Sequence, residues 1–146
     1  MMTNPCTPET TSEQLHIARS KCIDAFADVE LAVVGLLIRA GAKPGAESLG
    51  QKMELLRKSK PAPQYSKEKR ATTLGLLDEL ESLTKDRNDI VHGKLAIANI
   101  EDNIFACFIN AVSNSACTNS ARLVNLAQFA KLNRQVNLLA QVLAKP

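Results

Sequence analysis

Leu15, Ala18, Cys22, Phe26, Val29, Val33, Leu36 and Ala40 recur at alternating three- and four-residue spacing. That period lines one face of an α-helix for about seven turns and fits no strand. A helix this long in a chain of 146 residues fixes most of what the rest must do. Its apolar stripe has to be buried, and other helices are the natural cover. Thr11-Ser12-Glu13-Gln14 reads as a capping-box start, and Gly41 followed by Pro44-Gly45 as the stop.

The partners are legible. A shorter helix is predicted from about Glu47 to Lys58, with Leu49, Met53 and Leu56 on one face. Lys60–Gln64 (KPAPQ) is a turn or stiff linker, because two prolines cannot continue a helix. A third helix runs from about Ser66 on the stripe Thr73, Leu77, Leu80 and Thr84, with Leu74, Leu76 and Leu83 beside it. A last helix starts near Asn125, with Gln128 as its box partner and Phe129, Leu132, Val136, Leu139 and Leu143 as its stripe. That strict alternation suits antiparallel packing or a helix–helix dimer seam.

Between the last two helices the pattern changes. Lys94–Ile100 (KLAIANI) and Ile104–Val112 flank the turn Glu101–Asn103, and predict a short β-hairpin; a fourth helix over 100–112 is the alternative. Residues 113–120 read as a loop. The expected fold is therefore mainly α, a four- or five-helix bundle with that hairpin, spanning 11–146 behind a loose tail at 1–10. Only 3% of residues are aromatic and none is Trp, which suits packed helices.

Net charge is +3, but seven basic residues (Lys52, Arg57, Lys58, Lys60, Lys67, Lys69 and Arg70) and two acidic ones make the window 52–70 a local +5. The remainder is −2. Such a window either attracts an anionic partner such as nucleic acid or is a solvated edge. Cys6, Cys22, Cys107 and Cys117 have no metal-ligand spacing and pair with neither histidine in a zinc pattern, so free thiols in a reducing cytoplasm are expected, with no metal and no cofactor. The N-terminus has no apolar run of a secretory signal, and Leu31–Ile38 is too short to span a bilayer, so no membrane association is expected. A Gly-rich phosphate loop and a hydrolytic triad are both missing from the pattern.

The chemistry lies in Arg87–Gly93, RNDIVHG. Arg87 continues the apolar side of its helix, where a guanidinium needs a partner and suits forked contact with carboxylate or phosphate. His92 is five residues on, about 140° around an unbroken helix. The two side chains converge only if the helix ends between them or a second copy faces the first. Gly93 suits the left-handed position after a helix C-terminus. The plainer reading is an ion pair of Arg87 with Asp86, Asp89 or Glu81, with His92 capping the last carbonyls. His16, on the first helix, is read as a solvated histidine.

RNDIVHG at the end of a helix in an all-helical domain of this size resembles the R-x(4–6)-H motif of the HEPN superfamily, with Asn88 in the position where a polar residue commonly follows the Arg. The resemblance rests on Arg87, Asn88 and His92, with helix order over 12–146. It implies a helical bundle that forms a homodimer through the motif helix and the last helix, with two motifs facing each other. It implies a metal-independent endoribonuclease in which His92 moves protons, Arg87 stabilises the transition state and Asn88 orients the phosphate or imidazole. RNA would lie along the 52–70 window, and an antitoxin or other protein would be a partner. Some members are non-catalytic binding or dimerisation modules, which is the alternative. Toxins of the superfamily regulated by a nucleotidyltransferase carry Tyr two residues after the His; here that residue is Lys94. Tyr65, Phe105 and Phe108 are the aromatics near the motif regions, the two phenylalanines being assigned to the core.

Overall fold

In a computed structural model the chain is described over residues 11–59, 67–109 and 121–145. Among the described residues four helices, α1 (Ser12–Arg39), α2 (Leu49–Lys58), α3 (Lys67–His92) and α4 (Leu126–Ala144), enclose one core. Between α3 and α4 lies an antiparallel sheet of β1 (Lys94–Ile100), β2 (Asn103–Ile109) and β3 (Ala121–Val124), in that order. The tail at 1–10, the linker at 60–66 and the loop at 113–120 fall outside the described residues.

Each boundary has a local cause. The α1 stripe is buried from Leu15 to Leu36. Thr11, Ser48 and Asn125 each form a reciprocal capping box with a glutamine three residues on, which satisfies two orphan donors at the start of α1, α2 and α4. α1 stops at Gly41, whose φ of 82° is a left-handed turn open to glycine at little steric penalty. α2 starts two residues later than its periodicity suggested, because Ser48 and not a residue before it supplies the cap.

The hairpin forms as expected, with Lys94 opposite Ile109 and Ile100 opposite Asn103. Its two-residue turn holds Glu101 and Asp102 at φ 50° and 64°. β3 was not anticipated: Ala121–Val124 is only four residues long and contains an arginine. Alternation sorts the sheet into two faces. Phe108, Ala106 and Val124 look inward and are buried, and Phe108 meets Phe129 of α4 edge-on at 5.9 Å. Phe105 looks the other way, half-buried and outside the core cluster, so its assignment to the core is corrected.

α1 and α4 form the largest helix pair. Gln14, Ile17 and Ala18 near the start of α1 share a cavity with Leu126, Ala130 and Asn133 near the start of α4. The two therefore run in the same sense, not antiparallel. α3 ends beside the start of α1, where Arg19 bonds Ile90 and Gly93, so the chain turns through the sheet and starts α4 at the same end of the bundle.

Candidate functional site

α3 continues unbroken through the motif to His92, because nothing between Thr84 and His92 interrupts the helix. Gly93 ends it by close approach and not by a left-handed backbone; among the glycines only Gly41 has positive φ. The Gly93 amide donates to the Asp89 carbonyl at 2.8 Å. A Cβ at 93 would collide with that carbonyl oxygen and stand 3.2 Å from the Phe108 Cβ. Glycine is required there by space.

Arg19 of α1 reaches the same turn. Its Nε donates to the Ile90 carbonyl at 3.0 Å and its Nη2 to the Gly93 carbonyl at 2.9 Å. The guanidinium lies 5.6 Å from the centre of the Phe108 ring, within cation–π range. Sequence patterning assigned Arg19 no role, because a bond across more than seventy residues has no local signature.

Arg87 points between α1 and α2. Its side chain is 18% exposed. Nη1 donates to Asn88 Oδ1 at 3.1 Å, Nη2 lies 3.9 Å from Glu30 Oε2, and Nε is buried without a hydrogen-bond partner. Glu30 is already held by Lys52, whose Nζ sits 2.9 Å from its other oxygen. Arg87 and Asn88 line a cavity of about 210 Å³ with Ser48 and Gly50 at the start of α2, Met53, Arg57 and Thr84.

Two other arginines set the standard for a satisfied guanidinium. Arg57 contacts Glu81 at 2.7 Å, Asp78 at 3.0 Å and Glu54 at 3.3 Å. Arg122 of β3 contacts Asp86 at 2.6 Å and Asp89 at 2.8 Å. The expected pairing of Asp86, Asp89 and Glu81 with Arg87 is therefore corrected: these carboxylates serve Arg122 and Arg57. Arg122 sits opposite the inward Phe108 in the sheet, so it faces α3. The sequence hid this because a four-residue strand gives too short an alternation to read.

His92 is exposed on the last residue of α3. It is about 7.5 Å along the axis from Arg87 and about 140° around it. One chain does not bring the two together. It brings Arg87 together with Asn88, and leaves His92 at the helix end.

The basic window divides. Lys52 is buried on Glu30, Arg57 is triply paired, and Arg70 donates to the carbonyls of Arg57 and Ser59 at 2.8 and 3.0 Å. Lys58 and Lys67 are exposed and Lys69 is half-buried; Lys60 and Tyr65 lie outside the described residues. Cys22 is fully buried, and burial, aided by the charge of Asp86, pushes its thiol up to about 12, so it is an inert core group. His16 is exposed.

Among the described residues no group of three or more His, Cys, Asp or Glu is placed to hold a metal, and no helix is long and apolar enough to cross a membrane. Compared with known proteins, the chain matches no family model and has no significant match to a curated protein or a solved structure.

Proposed function

We propose that this chain is a metal-independent endoribonuclease of HEPN type, acting as a homodimer that brings Arg87 and Asn88 of one copy beside His92 of the other. The observation that carries the reading is the under-partnered state of Arg87. Its nearest carboxylate is 3.9 Å away and already paired, whereas Arg57 and Arg122 each hold two or more carboxylates within 3.3 Å. A guanidinium with spare donors beside a cavity suits a phosphate that arrives with substrate. His92 supports the same reading by lying open to solvent at a helix end.

In this reaction the ribose 2′-hydroxyl attacks the adjacent phosphorus while an imidazole takes its proton. The P–O5′ bond breaks, and the departing 5′-oxygen takes a proton from water, while the protonated imidazole returns its proton to solvent. Arg87 stabilises the charge that builds on the non-bridging oxygens, and Asn88 fixes the guanidinium by its 3.1 Å bond. The products are a 2′,3′-cyclic phosphate and a 5′-hydroxyl.

One observation favours the second reading, a non-catalytic module that binds a nucleotide or protein. Lys52, Arg57 and Arg70 serve contacts inside the fold, which leaves fewer cations for a long RNA than the sequence promised. Incubation with single-stranded RNA in EDTA separates the two. The ribonuclease reading requires cyclic-phosphate ends, lost in both Arg87→Ala and His92→Ala at unchanged fold. Intact RNA at high protein concentration leaves the binding module.

A further inference from the structure

We propose that Arg19 is a positioning residue for His92, which rests on the reading of His92 as the proton-transfer group. The last turn of a helix leaves its carbonyls without intrahelical partners and frays readily. His92 occupies that turn, and among the described residues its exposed imidazole has no side-chain partner that could orient it. Its direction therefore follows from its backbone.

Arg19 fixes that backbone from both sides. Nε and Nη2, one edge of the guanidinium, donate to the carbonyls of Ile90 and Gly93, two residues before His92 and one after it. The fork itself is rigid. It rises from α1 between buried Leu15, Ala18 and Cys22, and lies against Phe108, which is buried and held edge-on by Phe129. A lysine would keep the charge but supply no planar pair of donors at this spacing. The amide of Gly93, bonded to Asp89, closes the turn that Arg19 brackets.

The test uses the full chain with Arg19→Lys and Arg19→Leu, read by NMR amide exchange and by single-turnover cleavage of RNA. In both variants exchange at His92 and Gly93 should speed up by about tenfold or more, tenfold being the loss expected for one of the two hydrogen bonds, while Leu77 and Leu80 keep their protection. The rate at saturating RNA should fall by a similar factor with KM unchanged, and Arg19→Lys should restore neither. Unaltered exchange at His92 and Gly93 overturns the proposal. So does faster exchange with an undiminished rate, since Arg19 would then be a cap and nothing more. A wild-type chain that leaves RNA intact refutes the ribonuclease reading itself and removes the catalytic role of Arg19 with it; the exchange data then still report whether Arg19 holds the turn.

Discussion

Replacing Arg87 by methionine should barely change the stability of the fold, and the same substitution at Arg122 should damage it. The difference follows from what each arginine leaves behind. At 3.9 Å and an effective dielectric of about 20, the Arg87–Glu30 attraction is about 4 kcal/mol before desolvation. Removing Arg87 does not strand Glu30, because Lys52 remains 2.9 Å from it. The substitution also deletes a buried Nε that has no partner and therefore carries an uncompensated desolvation cost. With a methionine stem filling much of the same volume, the net change should lie within about 1 kcal/mol. Arg122→Met instead leaves Asp86, 30% exposed, without its cation and takes the 2.8 Å arginine contact from Asp89, three residues on along α3. Breaking such a pair by removing one partner costs about 3 kcal/mol, less where water reaches the carboxylates. Urea unfolding followed by far-UV circular dichroism measures both at pH 7. If Arg87→Met loses as much as Arg122→Met, Arg87 is a structural ion-pair residue and has no donors to spare for a phosphate.

Three further outcomes follow from positions around the site. Gly93→Ala should destabilise by about 2–4 kcal/mol, because the new methyl meets the Asp89 carbonyl and the Phe108 side chain with no room to shift; a melting temperature within a degree of wild type would contradict the close approach. Asp102→Gly should stabilise by about 1 kcal/mol in chemical denaturation, since Asp102 sits at φ 64° in a hairpin turn where glycine has no Cβ penalty; a loss of stability would mean that the carboxylate is needed there. Stability should also decline between about pH 9 and 12: the folded state keeps the Cys22 thiol protonated while the unfolded chain releases it, and three pH units correspond to about 4 kcal/mol at most. Cys22→Ala should flatten that alkaline slope in urea titrations at successive pH values.

The helices were legible because their causes are local and repeated. The α1 stripe continues for about seven turns, and the capping boxes at Thr11 and Asn125 announce themselves in four residues each, whereas the one at Ser48 goes unread in a periodicity that starts α2 too early. The hairpin was legible from two β-rich runs around a polar turn. β3 was not, because four residues with an arginine in the second position look like loop until the opposite strand supplies the pairing. The site divides along the same line. RNDIVHG marked where α3 ends, but charge counting suggested a basic groove where Lys52 and Arg57 are in fact paired across helices with Glu30 and Asp78. A composition window records charge; it does not record which carboxylates the fold will bring opposite.

The motif helix is held from two directions, and that constrains how a composite site can assemble. Arg122 ties the Asp86–Asp89 face of α3 to β3, and Arg19 ties its final carbonyls to α1. Leu83 and Ile90, which flank the Asp86–Asp89 clamp along α3, are buried in the core. The helix therefore has little freedom to unwind between Arg87 and His92, and unwinding is what a single chain would need to swing two side chains about 140° apart onto one phosphate. Rotating either side chain cannot replace that motion, since Arg87 projects into the α1–α2 cleft and His92 lies exposed at the far end of the helix. Under the proposed function the second copy supplies the convergence, so catalysis should depend on protein concentration. Specific activity per chain should rise with the dimer fraction measured by sedimentation, and equal activity per chain at all dilutions would require the two groups to act within one chain, against the geometry of α3.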